Sequence, residues 1–256
     1  MRNALSVILA LGLLGLAGGT AAASQVAVTY KVDVGPVTLT TVRFILDVGA
    51  DTVTSTARIK SNGLANLFAE YSAVARATSL INGGAPQPVS FDLVREREKD
   101  IRRATLSWTA DGDLTYEPQS PRPERREDIA RALNSRVTDP ITAVLRIGTA
   151  GETPCPSVHE VFDGRDVFEL ALTDKGAGHL DDGAAYQGMV QHCEVRWTPL
   201  AGRAKEKNVP GDSYDVAFAP VGKLPTGQQL WLPVDLRGSL KGLPFRAYAG
   251  ELETAE

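Results

Sequence analysis

The residues best placed to hold a metal fall in one short stretch. His179, Asp181, Asp182 and His192 lie close together, and Cys193 follows the last of them. A metal needs lone pairs that converge at fixed short distances, and a hairpin would carry His179 towards His192. Two other uses compete for these residues. The run 176–183 reads as a polar turn, and Cys193 has an alternative partner in Cys155. No residue is therefore assigned to a metal, and no cofactor is expected.

Nucleophilic catalysis finds no better footing. The chain has no G-x-S-x-G elbow, no C-x-x-C and no H-E-x-x-H. His159 lies in an alternating segment and reads as a satisfied surface residue. Glu96 with Glu98, and Asp166 with Glu169, offer paired carboxylates. They read as the solvated sides of strands, which lack the second placed group that glycoside hydrolysis needs. No catalytic residue is assigned.

The amino terminus has the order of a secretory signal. Arg2 gives a positive start, an uncharged apolar run follows from Leu5 to Leu16, and Ala21-Ala22-Ala23 fits the small-x-small cleavage pattern. Cleavage is expected between Ala23 and Ser24, with residues 1–23 removed and 24–256 forming one β-rich unit. The apolar run is shorter than the roughly 18 residues that a membrane span requires. No transmembrane anchor is expected after cleavage, and the expected location is the periplasm. Amino-terminal analysis of the exported protein should begin at Ser24, and an intact Met1 there would overturn this reading.

Roughly 230 residues then remain, enough for one large core or two small ones. The formal charge of the whole chain is −4, and loss of Arg2 makes it more negative still. This balance argues against nucleic acid as a partner. It also gives no sign of a basic membrane-binding patch.

The cysteines number two, Cys155 and Cys193. In an exported chain an even count points to a bridge. Closing the loop between them would stabilise the fold by about 4 kcal/mol in the chain-entropy account. Two free buried thiols are the alternative.

These residues must be positioned mainly by strands. Val26, Val28, Tyr30, Val32 and Val34 alternate with more polar neighbours, and Val89, Phe91 and Leu93 lead into a charged stretch. Asp163-Gly164 separates two alternating runs and reads as a tight hairpin turn. The segment 124–147 departs from this pattern. Asp139 is a helix cap, Pro140 suits the first helical position, and Ile141, Val144 and Leu145 share a face. Two short helices are expected to cross between two strand-rich halves and to cover an opening or face of the sheet. The segment 64–75 fits a helical stripe and a strand about equally.

Taken in order, four features resemble the exported bacterial family known as domain of unknown function 3108. A strand containing Tyr30 precedes a Ser61-Asn62-Gly63-Leu64 turn. Asp139-Pro140-x-x-Ala143-x-Leu145-Arg146 lies mid-chain. Cys155 shortly precedes Val161-Phe162-Asp163-Gly164-Arg165, and Cys193-x-Val195 leads on to Pro199 and Gly202. The resemblance covers essentially the whole chain after residue 23. It implies a periplasmic, mainly antiparallel β-protein with a strongly curved sheet, a half-barrel or barrel-like form similar to lipoprotein carriers. It also favours a strand for the segment 64–75. Gln191 and His192 lie outside the shared pattern.

Three functions follow as expectations. The first is a non-enzymatic protein that supports the cell envelope by binding a lipid or other apolar ligand, or an envelope protein. Phe44, Phe68, Tyr71, Trp108, Trp197 and Trp231 would line its concavity. The second is an interaction module with a fully packed core. The third is a hydrolase of envelope polymers.

Overall fold

The computed structural model describes residues 24–62, 70–81, 84–97, 100–117, 123–183, 185–206, 212–240 and 242–255. Ala23, Gly63, Leu64 and Phe68 lie outside them. Among the described residues the fold is mainly β, with thirteen strands in one antiparallel sheet. From Ser24 the chain builds β1 (Ser24–Val34), β2 (Val37–Val48), β3 (Thr52–Ser61) and β4 (Tyr71–Leu80). It continues through β5 (Gln87–Arg97), β6 (Asp100–Trp108) and β7 (Leu114–Tyr116), each beside the one before. The helices α1 (Pro123–Ala132) and α2 (Pro140–Gly148) follow. A second meander comprises β8 (Ser157–Phe162), β9 (Asp166–Leu180), β10 (Gly188–Gly202), β11 (Asp212–Lys223), β12 (Gln229–Leu240) and β13 (Leu243–Ala255). A short helix, α3 (Arg203–Glu206), sits between β10 and β11.

The last strand pairs with the first, so β7 and β8 become the two edges of the sheet. The sheet curls until these edges face each other without joining. The Tyr116 ring on β7 meets Phe162 on β8 edge to face, with centroids 5.0 Å apart. The tip of the β8–β9 hairpin reaches still further, onto β6. Gly164 has φ +86° there, and a Cβ on it would stand 2.4 Å from Ala104 Cβ. Glycine is required twice at this position, by the backbone and by the contact. Asp163 completes the turn, its Oδ1 accepting from the amides of Arg165 and Asp166 at 2.8 Å each. The free edge of β8 is partly covered by Thr138. The Thr138 amide donates to Glu160 O at 3.0 Å, and Phe162 N donates to Thr138 O at 2.9 Å.

The interior follows from the alternation. Leu46, Phe91 and Leu106 from the first meander and Leu230 and Leu232 from the second belong to one buried cluster, with Ile141 and Leu145 of α2 between them. Most residues of α2 are buried, as its apolar sequence allows, and its two ends are capped by side chains. Asp139 Oδ1 accepts from Ile141 N and Thr142 N at 2.9 Å each, and Thr149 Oγ1 donates to Leu145 O at 2.8 Å. Thr142 and Ser79 of β4 share a buried hydroxyl bond of 2.8 Å. Arg146 Nε donates to Pro86 O at 2.7 Å, just before β5. On the opposite side, a Cβ at Gly148 would lie 2.2 Å from Trp231 O on β12. The helix is thus clamped between the two meanders.

Asp139→Ala should cost about 0.5–2 kcal/mol, because two amide donors lose their acceptor while Pro140 only presets the first turn. Chemical denaturation measures this loss, and an unchanged midpoint and slope would rule out the cap.

Candidate functional site

A second, smaller apolar cluster lies apart from the main core. Cys155 and Cys193 meet in it, with Sγ atoms 2.05 Å and Cα atoms 6.3 Å apart. Both residues are buried, and Ile147, Leu172, Val216 and Phe218 surround them. The bridge ties the segment after α2 to the middle of β10. It also withdraws Cys193 from any ligand set beside His192.

Asp182, Asp235, Arg237 and Arg246 converge where β12 and β13 part. These strands pair only from Asp235 to Leu240 with Leu243 to Tyr248. Beyond that point the β9–β10 loop fills the gap, and Ala185 N donates to Ala249 O at 3.1 Å. Asp235 stands at the fork and is 3% exposed. Its carboxylate accepts from Arg237 Nε at 3.0 Å and Nη2 at 3.1 Å, and from Arg246 Nε at 2.9 Å and its Nη2. Asp182 of the loop accepts from Arg237 Nη2 at 2.7 Å. The hydrogen bond from Arg237 is the largest influence holding the Asp182 carboxyl below its usual range. The Arg246 guanidinium also lies over the Tyr248 ring, 4.9 Å from its centroid.

A pocket of about 300 Å³ opens beside this network, lined by His179, Leu180, Asp182, His192, Asp215 and Arg237 among others. The two histidines therefore share one pocket, as the hairpin argument expected. Their contacts differ. His179 Nδ1 lies 2.6 Å from Asp181 Oδ1, whereas the His192 ring lies where a Cβ on Gly178 would stand, 2.8 Å away. Among the described residues no three His, Cys, Asp or Glu side chains converge as a metal centre requires. The polar turn is also shorter than expected. Residues 176–180 belong to β9, and the turn begins at 181.

Two further expectations change. Asp166 is a buried group at 8% exposure, and its Oδ1 accepts from Ala204 N at 2.9 Å. It anchors α3 to the start of β9 and does not face solvent. His159 is half-buried, and its Nε2 is enclosed without a hydrogen-bond partner. Burial first, and then the positive charge of Arg146, push its pKa down to about 4. The strand pattern could not reveal this, because the charge that acts on His159 comes from Arg146 of α2, outside the strand.

A pH dependence follows. The unfolded chain takes up this proton near 6.5 and the folded chain near 4, so stability falls as pH drops between these values. Partial exposure limits the loss to at most about 2 kcal/mol. His159→Gln should flatten the stability profile in that window, and a profile as steep as the wild type's would refute the assignment.

Five of the aromatic residues named as a lining are described, and all five are packed. Phe44 and Trp108 are buried in the main cluster, and Tyr71 packs against it. Trp231 packs on the disulfide cluster, and Trp197 leans on Phe168 with centroids 5.9 Å apart.

Together these features define a β-protein with one curved, unclosed sheet, a helix seated in its concavity and a charged fork at its side. No family model matches the chain, and no curated protein does. A solved structure described as a beta-barrel-like protein of domain of unknown function DUF1849 from Brucella abortus is similar at a TM-score of 0.46 and 11% identity. The match covers 91% of this chain and 98% of that one.

Proposed function

We propose that this is a non-enzymatic protein of the periplasm that supports the envelope by engaging an envelope partner through its outer surface. The observation that supports this reading is the seat of α2. The helix occupies the concave face and contacts both meanders through Ser79 and Gly148. An apolar ligand held there would first have to displace it. The disulfide is compatible with export, and the resemblance to domain of unknown function 3108 belongs to the same proposal. Among the described residues no helix is long and apolar enough to cross a membrane.

The carrier reading makes the opposite claim about the interior. Titration with a fluorescent fatty acid separates the two. Outer-surface action predicts no saturable binding by the folded protein. Saturable one-to-one binding, weakened by enlarging Ala143 in α2, would replace this proposal with a lipid carrier.

A further inference from the structure

From the register of the first meander we infer that the outer face of β2–β6 is a docking surface for an anionic phospholipid bilayer. This face is opposite the one that buries Leu46, Ala75 and Phe91. Five cations widely separated in sequence come together on it. One row across the strands reads Arg43, Arg58, Val74, Val94, Arg103. Lys60 lies in the row on one side, opposite Thr41 and Ser72, and Arg76 lies in the row on the other, opposite Thr56 and Asp92.

The pairing is unfavourable for the isolated fold. Arg43 stands directly across from Arg58, and like charges so placed destabilise a sheet. Arg43 has a counter-ion in Glu253 at 3.3 Å. Among the described residues Arg58, Lys60, Arg76 and Arg103 have no ion pair. Two carboxylates on this face, Asp92 and Glu96, hydrogen-bond to neighbouring hydroxyls. Asp92 accepts from Thr105 Oγ1 at 3.0 Å, and Glu96 accepts from Ser72 Oγ at 3.5 Å. A cationic face on a chain of net charge −4 is an asymmetry that an external anion would relieve.

The shape of the face favours a membrane over a folded partner. Beside the charged residues its central rows carry Thr, Ser, Val and Ile side chains and present no large aromatic anchor of the kind that dominates protein interfaces. A bilayer of anionic headgroups attracts basic residues without demanding such an anchor.

This inference rests on the envelope reading above, and the two fail separately. The test is co-sedimentation of the purified protein with vesicles of phosphatidylglycerol and phosphatidylcholine in equal parts, against phosphatidylcholine alone. Binding should require phosphatidylglycerol and weaken as salt is added. The double variant R58E/R76E should bind at least about tenfold more weakly. Both positions are exposed, so its melting curve should remain cooperative. Arg131→Glu, on exposed α1, should bind as the wild type does. Equal binding by R58E/R76E and the wild type would overturn the surface, as would equal binding to both vesicle types. A soluble oligonucleotide held by these arginines in the absence of any vesicle binding would also overturn it. Cell fractionation tests the other reading. A cytoplasmic protein that still binds anionic vesicles through Arg58 and Arg76 refutes the envelope location and leaves the surface standing.

Discussion

Reduction of the Cys155–Cys193 bridge should lower stability by up to about 4 kcal/mol, the largest single effect expected in this protein. The closed loop spans a sequence separation of 38 and contains β8, all of β9 and the start of β10. Opening it restores to the unfolded chain the conformational freedom that the bridge removes. Cys155 is 1% exposed and stands in a loop with little regular hydrogen bonding, so its attachment depends on the sulfur and on the small cluster around it. The paired variant C155A/C193A should show a denaturation midpoint well below that of the oxidised wild type. It should resemble the reduced wild type, because both lack the cross-link, and fall somewhat below it for the two buried sulfur atoms lost. Thiol titration of the unfolded, unreduced protein should find no sulfhydryl. Two reactive thiols would refute the bridge, and equal midpoints with and without reductant would refute its contribution.

Asp235→Ala should be the next most damaging change, costing about 2–3 kcal/mol. Removing one partner of a fully buried ion pair costs about 3–5 kcal/mol. The figure is smaller here because the Arg237 and Arg246 side chains keep 50% and 30% of their exposure. The loss has a specific origin. Arg237 and Arg246 are direct cross-strand neighbours, and Asp235 separates their charges. Without it the β12–β13 pairing would close over two facing cations. The β9–β10 loop would then be held at this fork by Asp182 with no buried carboxylate behind it. Added salt should recover part of the loss in Asp235→Ala, since screening acts on the remaining repulsion. Replacing Arg237 with leucine in the same chain should recover part as well. Thermal melts of the single and double variants provide the comparison, and an Asp235→Ala melt equal to the wild type's would remove the network from the account.

Much of this architecture was legible in local pattern. The alternation at Val26–Val34, the Asp163-Gly164 turn and the Asp139-Pro140 helix start depend on neighbours a few residues away, and each stands where the sequence placed it. The cysteine pair was legible because two cysteines leave a single pairing. What escaped is long-range. His159 feels the charge of Arg146 on α2, and Asp166 accepts from Ala204 of α3, contacts that no period-two pattern announces. The β12–β13 fork depends on where pairing stops, and a strand's own residues do not record that limit. The basic face escaped for the same reason. Arg43, Arg58, Arg76 and Arg103 lie on four different strands, so no run of the sequence is basic, and only the register aligns them.

Native mass spectrometry of the protein gently purified from the envelope fraction tests the central claim most directly. The account predicts a bare chain that begins at Ser24, carries one disulfide and has no lipid-sized mass attached, because α2 already fills the concavity. A lipid-sized mass that stays bound until the chain unfolds would contradict it, and so would an envelope species that retains Met1.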